Sequence, residues 1–294
     1  MRMLKKYLGW NKCSYSEYER IALKFGYNAE TSPHYISFAL KHGAELDFYL
    51  YVKKNEELGA VCVDNGWLCN DIKNDNSKYK GLILPKYSIM PPFKDGIICA
   101  IPFKSKCLAS RNVKIINSSY KVFSKRNVAL CKSPQEFSKK TISTREREIR
   151  KFIQSGGSFK SFSELDSVDL YDIYHSLYSK RRNLEFYESP SLREFFDLYK
   201  DNFKGSVAYI EGEPVSIQLN LLTKSKYGNF MDFLNIGYNT DVKCHSLGNI
   251  IMWKNLIDYS QDIDCENLIY SYGMMSGDYK NRWCTPQKVA RIII

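Results

Sequence analysis

Hydrophobic and polar positions change period most clearly between Tyr227 and Trp283. Residues 230–238 (FMDFLNIGY) are apolar and aromatic enough for a strand buried on both faces. A polar break at 241–246 (DVKCHS) follows. Residues 247–260 then take up helical spacing, with Ile250, Trp253, Leu256 and Ile257 on one side. Ser246 is placed to cap that helix through its hydroxyl. Residues 267–274 (NLIYSYGM) read as the returning strand, and 277–283 as a turn crowded with polar and aromatic groups.

Upstream, Ser14 and Glu17 make a capping box for a helix with Tyr18, Ile21, Ala22 and Phe25 on one face, stopped by Gly26. Ser32-Pro33 opens a second helix that Gly43 closes. Residues 45–52 and 59–64 pattern as a hairpin, 71–81 as a surface loop, and the proline-broken 82–102 as short or edge strands. Residues 141–157 are a helix capped by Ser143 and Glu146. Its basic face (Arg145, Arg147, Arg150, Lys151) reads first as a solvated surface. Residues 162–183 form another helix, ending in Lys180, Arg181 and Arg182, which complement its dipole. Ser191 and Glu194 cap a third. In 215–221, Val215, Ile217, Leu219 and Leu221 face one side, and Ser216, Gln218 and Asn220 the other. The expected fold class is α+β, a mostly antiparallel sheet with covering helices. The domains are a mixed α/β lobe over 1–128 and a larger unit over 129–294. A last strand parallel to the strand before its helix would splay from it and leave a slot at the helix N-terminus.

The 294 residues carry 43 Lys and Arg against 32 Asp and Glu, a net +11 that fits an anionic partner or a plainly basic surface. Nine cysteines, none at C-x-x-C spacing, read as reduced thiols rather than a zinc site or a disulfide framework. No apolar run approaches membrane-spanning length, and no h-region follows the basic start.

Ser246, Leu247, Gly248 and Asn249 would present free amides and the positive end of the helix dipole to an anion, with Gly248 allowing close approach. The plainer reading is that Ser246 and Gly248 only cap and relax the helix start. His245 and His175 read as ordinary loop and helix residues. A Cys244-His245 nucleophile pair is weak, because sequence neighbours point apart.

Three passages resemble the GNAT-like acyl-CoA N-acyltransferase fold in its FemAB and BioF2-type branch. They are the Arg-rich helix from Arg145 to Gly157 with Tyr178-x-x-Arg181 beyond it, Ser246-Leu247-Gly248 leading into Trp253, and Gly277-Asp278-Tyr279-Lys280 to Trp283. The whole chain is similar to the Mig-14 family, through Gly9-Trp10, Tyr15-x-x-Tyr18, and Tyr238 ahead of His245-Ser246. The resemblance implies an N-terminal lobe that is a degenerate GNAT-like half. It also implies acyl or aminoacyl transfer to an amine, with acyl-CoA or aminoacyl-tRNA as co-substrate and nothing tightly bound. The family is one that bacterial pathogens use against cationic antimicrobial peptides, and membership implies a cytoplasmic protein, peripheral to the inner membrane at most. On this reading Asp232 and Asp278 orient or deprotonate the amine and Tyr279 protonates the leaving group. Amides near 235–238 hold the carbonyl oxygen, and Lys280 and Arg282 pair with phosphate. The chain lacks the Q/R-x-x-G-x-G/A pyrophosphate loop of ordinary GNAT enzymes. A non-catalytic binding or regulatory role, DNA binding included, is the competing expectation.

Overall fold

A computed structural model describes residues 6–73, 84–85, 87–109, 113–119, 126–183, 189–242, 246–262 and 268–293. The expectations for 74–81 and for Lys243, Cys244 and His245 lie outside the described residues.

The first lobe opens with strand β1 (Trp10–Cys13) and helix α1 (Tyr15–Phe25). The capping box forms: the Glu17 amide donates to Ser14 Oγ at 3.3 Å and the Ser14 amide to the Glu17 carboxylate at 2.8 Å. Such a cap is worth about 1 kcal/mol. Gly26 ends the helix at φ +83°, where a Cβ would stand 2.5 Å from that of Tyr227, so the glycine lets the two halves of the chain touch. Helix α2 (Pro33–Lys41) follows. Strands β2 (Asp47–Lys53), β3 (Glu56–Asp64) and β4 (Trp67–Leu68) complete an antiparallel sheet in the order β1-β2-β3-β4. One side packs Tyr18, Ile21, Phe48 and Leu50, the other Trp10, Tyr51, Phe93 and Phe103. The proline-rich stretch yields a short strand β5 (Ile98–Cys99), paired parallel with β6 (Lys114–Ile115). Asp71, expected at the edge of a surface loop, is fully buried, because its carboxylate accepts from the Ser105 hydroxyl and the Lys106 amide.

The second unit contributes β7 (Asn127–Cys131), α3 (Lys139–Gln154), β8 (Gly157–Ser161), α4 (Ser167–Arg182) and α5 (Pro190–Leu198). There follow β9 (Phe203–Lys204), β10 (Ser206–Ile210), β11 (Glu213–Ser225), β12 (Gly228–Tyr238), α6 (Leu247–Gln261), β13 (Ile269–Met274), α7 (Asp278–Trp283) and β14 (Cys284–Lys288). The large sheet runs β14-β7-β13-β12-β11-β10-β8, with β9 beside β11. Helices α3 and α6 cover one face around Trp253, Ile250 and Phe152. Helices α4 and α5 cover the other, joined by Tyr35 and Phe38 of α2, so the lobes share a core. The tail returns to the first lobe, where Ala290 pairs with Leu108.

Three local expectations are corrected. Helix α3 begins a turn earlier than Ser143, capped by Ser138, whose hydroxyl accepts from the Thr141 amide at 3.2 Å. Helix α5 starts after Ser189 rather than at Ser191, and Glu194 instead pairs with Lys41 of α2 at 2.5 Å. Arg145 is not on a solvated face: besides its local pair with Glu148 at 2.6 Å it is mostly buried, 5.5 Å over the Trp283 ring. The second, polar side of β11 is buried as well. Asn255 of α6 donates to Gln218 at 2.9 Å, Gln218 to Tyr270 at 2.9 Å, Tyr270 to Asn220 at 2.8 Å and Asn220 to Tyr259 at 2.8 Å. This buried chain of bonds fixes α6 on the sheet, since each member would otherwise be a desolvated polar group without a partner.

Candidate functional site

Strands β12 and β13 pair in parallel at only three positions, Phe230 with Ile269, Met231 with Tyr270 and Asp232 with Ser271. Beyond Asp232 the strands separate, and β12 runs on to Tyr238 without β13 beside it. Helix α6 starts in the gap. The outcome is a cleft of about 800 Å³ between the end of β12, the first turn of α6 and helix α7.

Ser246, Leu247, Gly248 and Asn249 all line this cleft, as does Tyr279. Ser246 does not cap the helix. It sits at φ +71°, a left-handed backbone that carries its side chain away from the first-turn amides, and its hydroxyl makes no cap bond. A Cβ on Gly248 would meet Ile236 Cδ1 at 3.5 Å and Tyr238 Cε1 at 3.7 Å, ordinary contact distances on the cleft wall. The start of α6 is held from below: the Ser216 hydroxyl reaches the Gly237 carbonyl at 3.3 Å and the Leu247 carbonyl at 3.5 Å.

The remaining wall is largely apolar, with Phe233, Ile236, Tyr238, Val242 and Met252, and it includes the Arg181 guanidinium. Arg181 Nη1 donates to the Ile236 carbonyl at 2.7 Å and the guanidinium lies 5.3 Å from the Tyr238 ring centre. The Tyr279 phenol is half-exposed. Desolvation raises its pKa against the pull of Arg181 and Arg182, so it stays a protonated donor at neutral pH.

Other expected site residues stand elsewhere. The segment 277–283 is not a turn but a six-residue helix, α7, after Gly277. Asp278 and Arg282 lie exposed on it, outside the cleft lining. Lys280 points into the protein: its ammonium donates to the Tyr272 carbonyl at 2.5 Å and the Met274 carbonyl at 2.7 Å, and burial lowers its pKa. It closes the end of β13 and is not free for phosphate. Asp232 is buried at the last β12–β13 pair, also outside the cleft lining. Desolvation and the Glu30 carboxyl raise its pKa well above the usual carboxylate range, so it favours the neutral form. Trp283 is a core residue, packed against Phe137 and Trp253.

Arg181 is the principal residue that charge reasoning misses, since it assigns the side chain to the dipole of α4. The Tyr178-x-x-Arg181 spacing is its one signal. Phe233 and Met252 carry none, since apolar residues in a strand and a helix read only as core.

This slot between a splayed parallel strand pair and a helix N-terminus, on a mostly antiparallel sheet, defines the chain as having the GNAT-like acyltransferase fold. Superposition agrees. FemX matches with a TM-score of 0.54 at 8% identity, over 97% of this chain and 97% of that one. L-PGS from Bacillus licheniformis matches with a TM-score of 0.51 at 9% identity, over 96% of this chain and 92% of that one. The chain belongs to the Mig-14 family, whose profile matches residues 33–292. No curated protein matches it.

Proposed function

We propose that the protein is an N-acyltransferase that holds an activated acyl or aminoacyl group in the cleft and passes it to an amine. The observation that carries this reading is the convergence of the uncapped first turn of α6, the end of β12 on the side that β13 leaves, Arg181 and Tyr279 on one cavity. The amine nitrogen attacks the donor carbonyl carbon. A C–N bond forms and the carbon–sulfur or carbon–oxygen bond of the donor breaks. Main-chain amides near the end of β12 stabilise the oxygen charge that develops. Tyr279, held protonated, supplies the leaving group with its proton. Among the described residues that line the cleft there is no carboxylate, so the amine arrives neutral or loses its proton to water. The donor is an acyl-CoA or an aminoacyl-tRNA, and Arg181 is the cation of the cleft that meets its anionic part. The acceptor is an amine of an envelope component or peptide, and the product serves resistance to cationic antimicrobial peptides. Among the described residues no helix is long and apolar enough to cross a membrane.

One observation favours a second reading, a non-catalytic binding or regulatory protein. Lys280, the cation of the terminal motif, serves backbone carbonyls, and the sequence has no pyrophosphate loop. A single experiment separates the two. Purified protein is titrated with acetyl-CoA, longer acyl-CoAs and aminoacyl-tRNA, and transfer of labelled acyl group to a polyamine is followed for the wild type and Tyr279→Phe. Saturable donor binding with transfer that falls at least tenfold in Tyr279→Phe supports the enzyme. Donor binding without transfer supports the second reading, and no donor binding sinks the first.

A further inference from the structure

We propose that the N-terminal lobe carries a phosphate-binding site, distinct from the cleft, built by Lys73, Lys106, Arg126 and Arg291. The four cations come from four separate chain segments, so they are not a solvated charge run. Backbone bonds bring them together. The buried Asp71 carboxylate accepts from the Lys73 amide at 3.0 Å through one oxygen and from the Lys106 amide at 2.7 Å through the other. The Val289 amide donates to the Arg126 carbonyl at 3.2 Å, and the Ile292 amide to the Ser105 carbonyl at 2.9 Å, which sets Arg291 between them. The lobe is thus stitched so that the backbones carrying the four cations lie side by side, close enough for Lys73, Arg126 and Arg291 to act on the Lys106 ammonium.

A second observation concerns Arg126 alone. Its Nη1 is buried and has no hydrogen-bond partner, although a desolvated guanidinium hydrogen normally finds an acceptor. The adjacent Cys107 thiol, whose own pKa burial raises to about 11, supplies only a weak acceptor. Asp71, the carboxylate that faces the cluster, is engaged with the Ser105 hydroxyl and the two amides and acts mainly as a clamp. The ammonium of Lys106 is correspondingly less basic than usual, through desolvation first and then the repulsion of Lys73, Arg126 and Arg291. A guanidinium with an open donor, whose charged neighbours Lys73, Lys106 and Arg291 are all cations, matches the charge and donor chemistry of a phosphate group. Inorganic phosphate, a nucleotide phosphate or a lipid headgroup shares that chemistry. The site stands whether or not the cleft is catalytic.

The test is calorimetric titration of the full chain with inorganic phosphate, AMP, and vesicles of phosphatidic acid or phosphatidylcholine. Saturable one-to-one phosphate binding is expected, weakened at least tenfold by Arg126→Gln and by Arg291→Gln and unchanged by Arg282→Gln, which removes an equally exposed cation elsewhere. Arg291 is exposed, so its variant keeps the test valid if Arg126→Gln melts early. Equal affinity for AMP and phosphate assigns free or nucleotide phosphate. Tighter binding of phosphatidic acid vesicles, with phosphate still bound, assigns a headgroup. No phosphate binding, or equal losses in all three variants, overturns the proposal.

Discussion

Arg181 Nη1 donates to the carbonyl of Ile236 at 2.7 Å, tying the last turn of α4 to the end of β12. The bond fixes the strand where β13 has already left it, and it leaves the guanidinium against Tyr238 in the cleft. Arg181 therefore does two things at once: it holds the cleft wall and supplies its positive charge. Arg181→Met should cost about 1–3 kcal/mol of stability, as expected for a hydrogen bond from a charged group, and should weaken donor binding about tenfold. Arg181→Lys should recover part of the binding but not the planar guanidinium's contact with the Tyr238 ring. Denaturant melts and donor titrations of the two variants check this, and equal donor affinity in all three proteins would remove Arg181 from the site.

The start of α6 gives a second prediction. Gly248 has room for one carbon, since its Cβ would stand at van der Waals distance from Ile236 and Tyr238. Gly248→Ala should keep the fold and gain up to about 1 kcal/mol from helix propensity. Gly248→Leu, whose side chain occupies the cleft, should abolish donor binding while melting near the wild type. Donor affinity unchanged in the leucine variant would place the donor elsewhere.

These two residues show how far sequence reasoning reaches. The strand, helix and strand unit of β12, α6 and β13 is legible because its hydrophobic period switches between elements, while the parting of the two strands after Asp232 is a tertiary feature. The Ser14–Glu17 box is legible because capping is local. The β11 pattern of Ser216, Gln218 and Asn220 reads only as a second face, because alternation reports two faces and not what covers them. Partners 37 to 52 residues away, Asn255, Tyr259 and Tyr270, bury that side. Ser246 escapes for a related reason: a serine before a helix says nothing of its own φ. Arg181 and Lys280 exchange their expected roles, since a cation's partner is set by tertiary contacts and not by its motif.

Lys280 supplies a third prediction. Its ammonium serves two carbonyls at the end of β13, so Lys280→Met should cost about 1–3 kcal/mol through two unsatisfied acceptors. Donor affinity, measured below the new melting temperature, should remain within twofold. A large loss of donor affinity with stability intact would return Lys280 to a phosphate-binding role.

The last prediction concerns pH. Glu30 is fully buried where the lobes meet, accepting from the Ser88 amide at 2.9 Å and from Asn28 Nδ2 at 2.7 Å. Burial raises its pKa from 4.5 to about 7. Asp232 of β12, also buried, feels the Glu30 charge and is raised in the same direction. Both folded-state values lie above the unfolded ones, so the native state binds more protons than the unfolded chain across that window. The stabilising contribution is complete below pH 4.5 and is lost as pH rises through about 7. For Glu30 alone the change is on the order of 3 kcal/mol, because a tenfold difference in acidity between the folded and unfolded chain is worth about 1.4 kcal/mol. Denaturant stability should therefore fall from pH 5 to pH 8 more steeply than in Asp232→Asn. That variant removes the carboxyl that burial and the Glu30 charge make costly to ionise, leaves only Glu30 to titrate, and should be the more stable protein at pH 8. Parallel pH profiles for the two proteins would show that Asp232 carries no raised pKa.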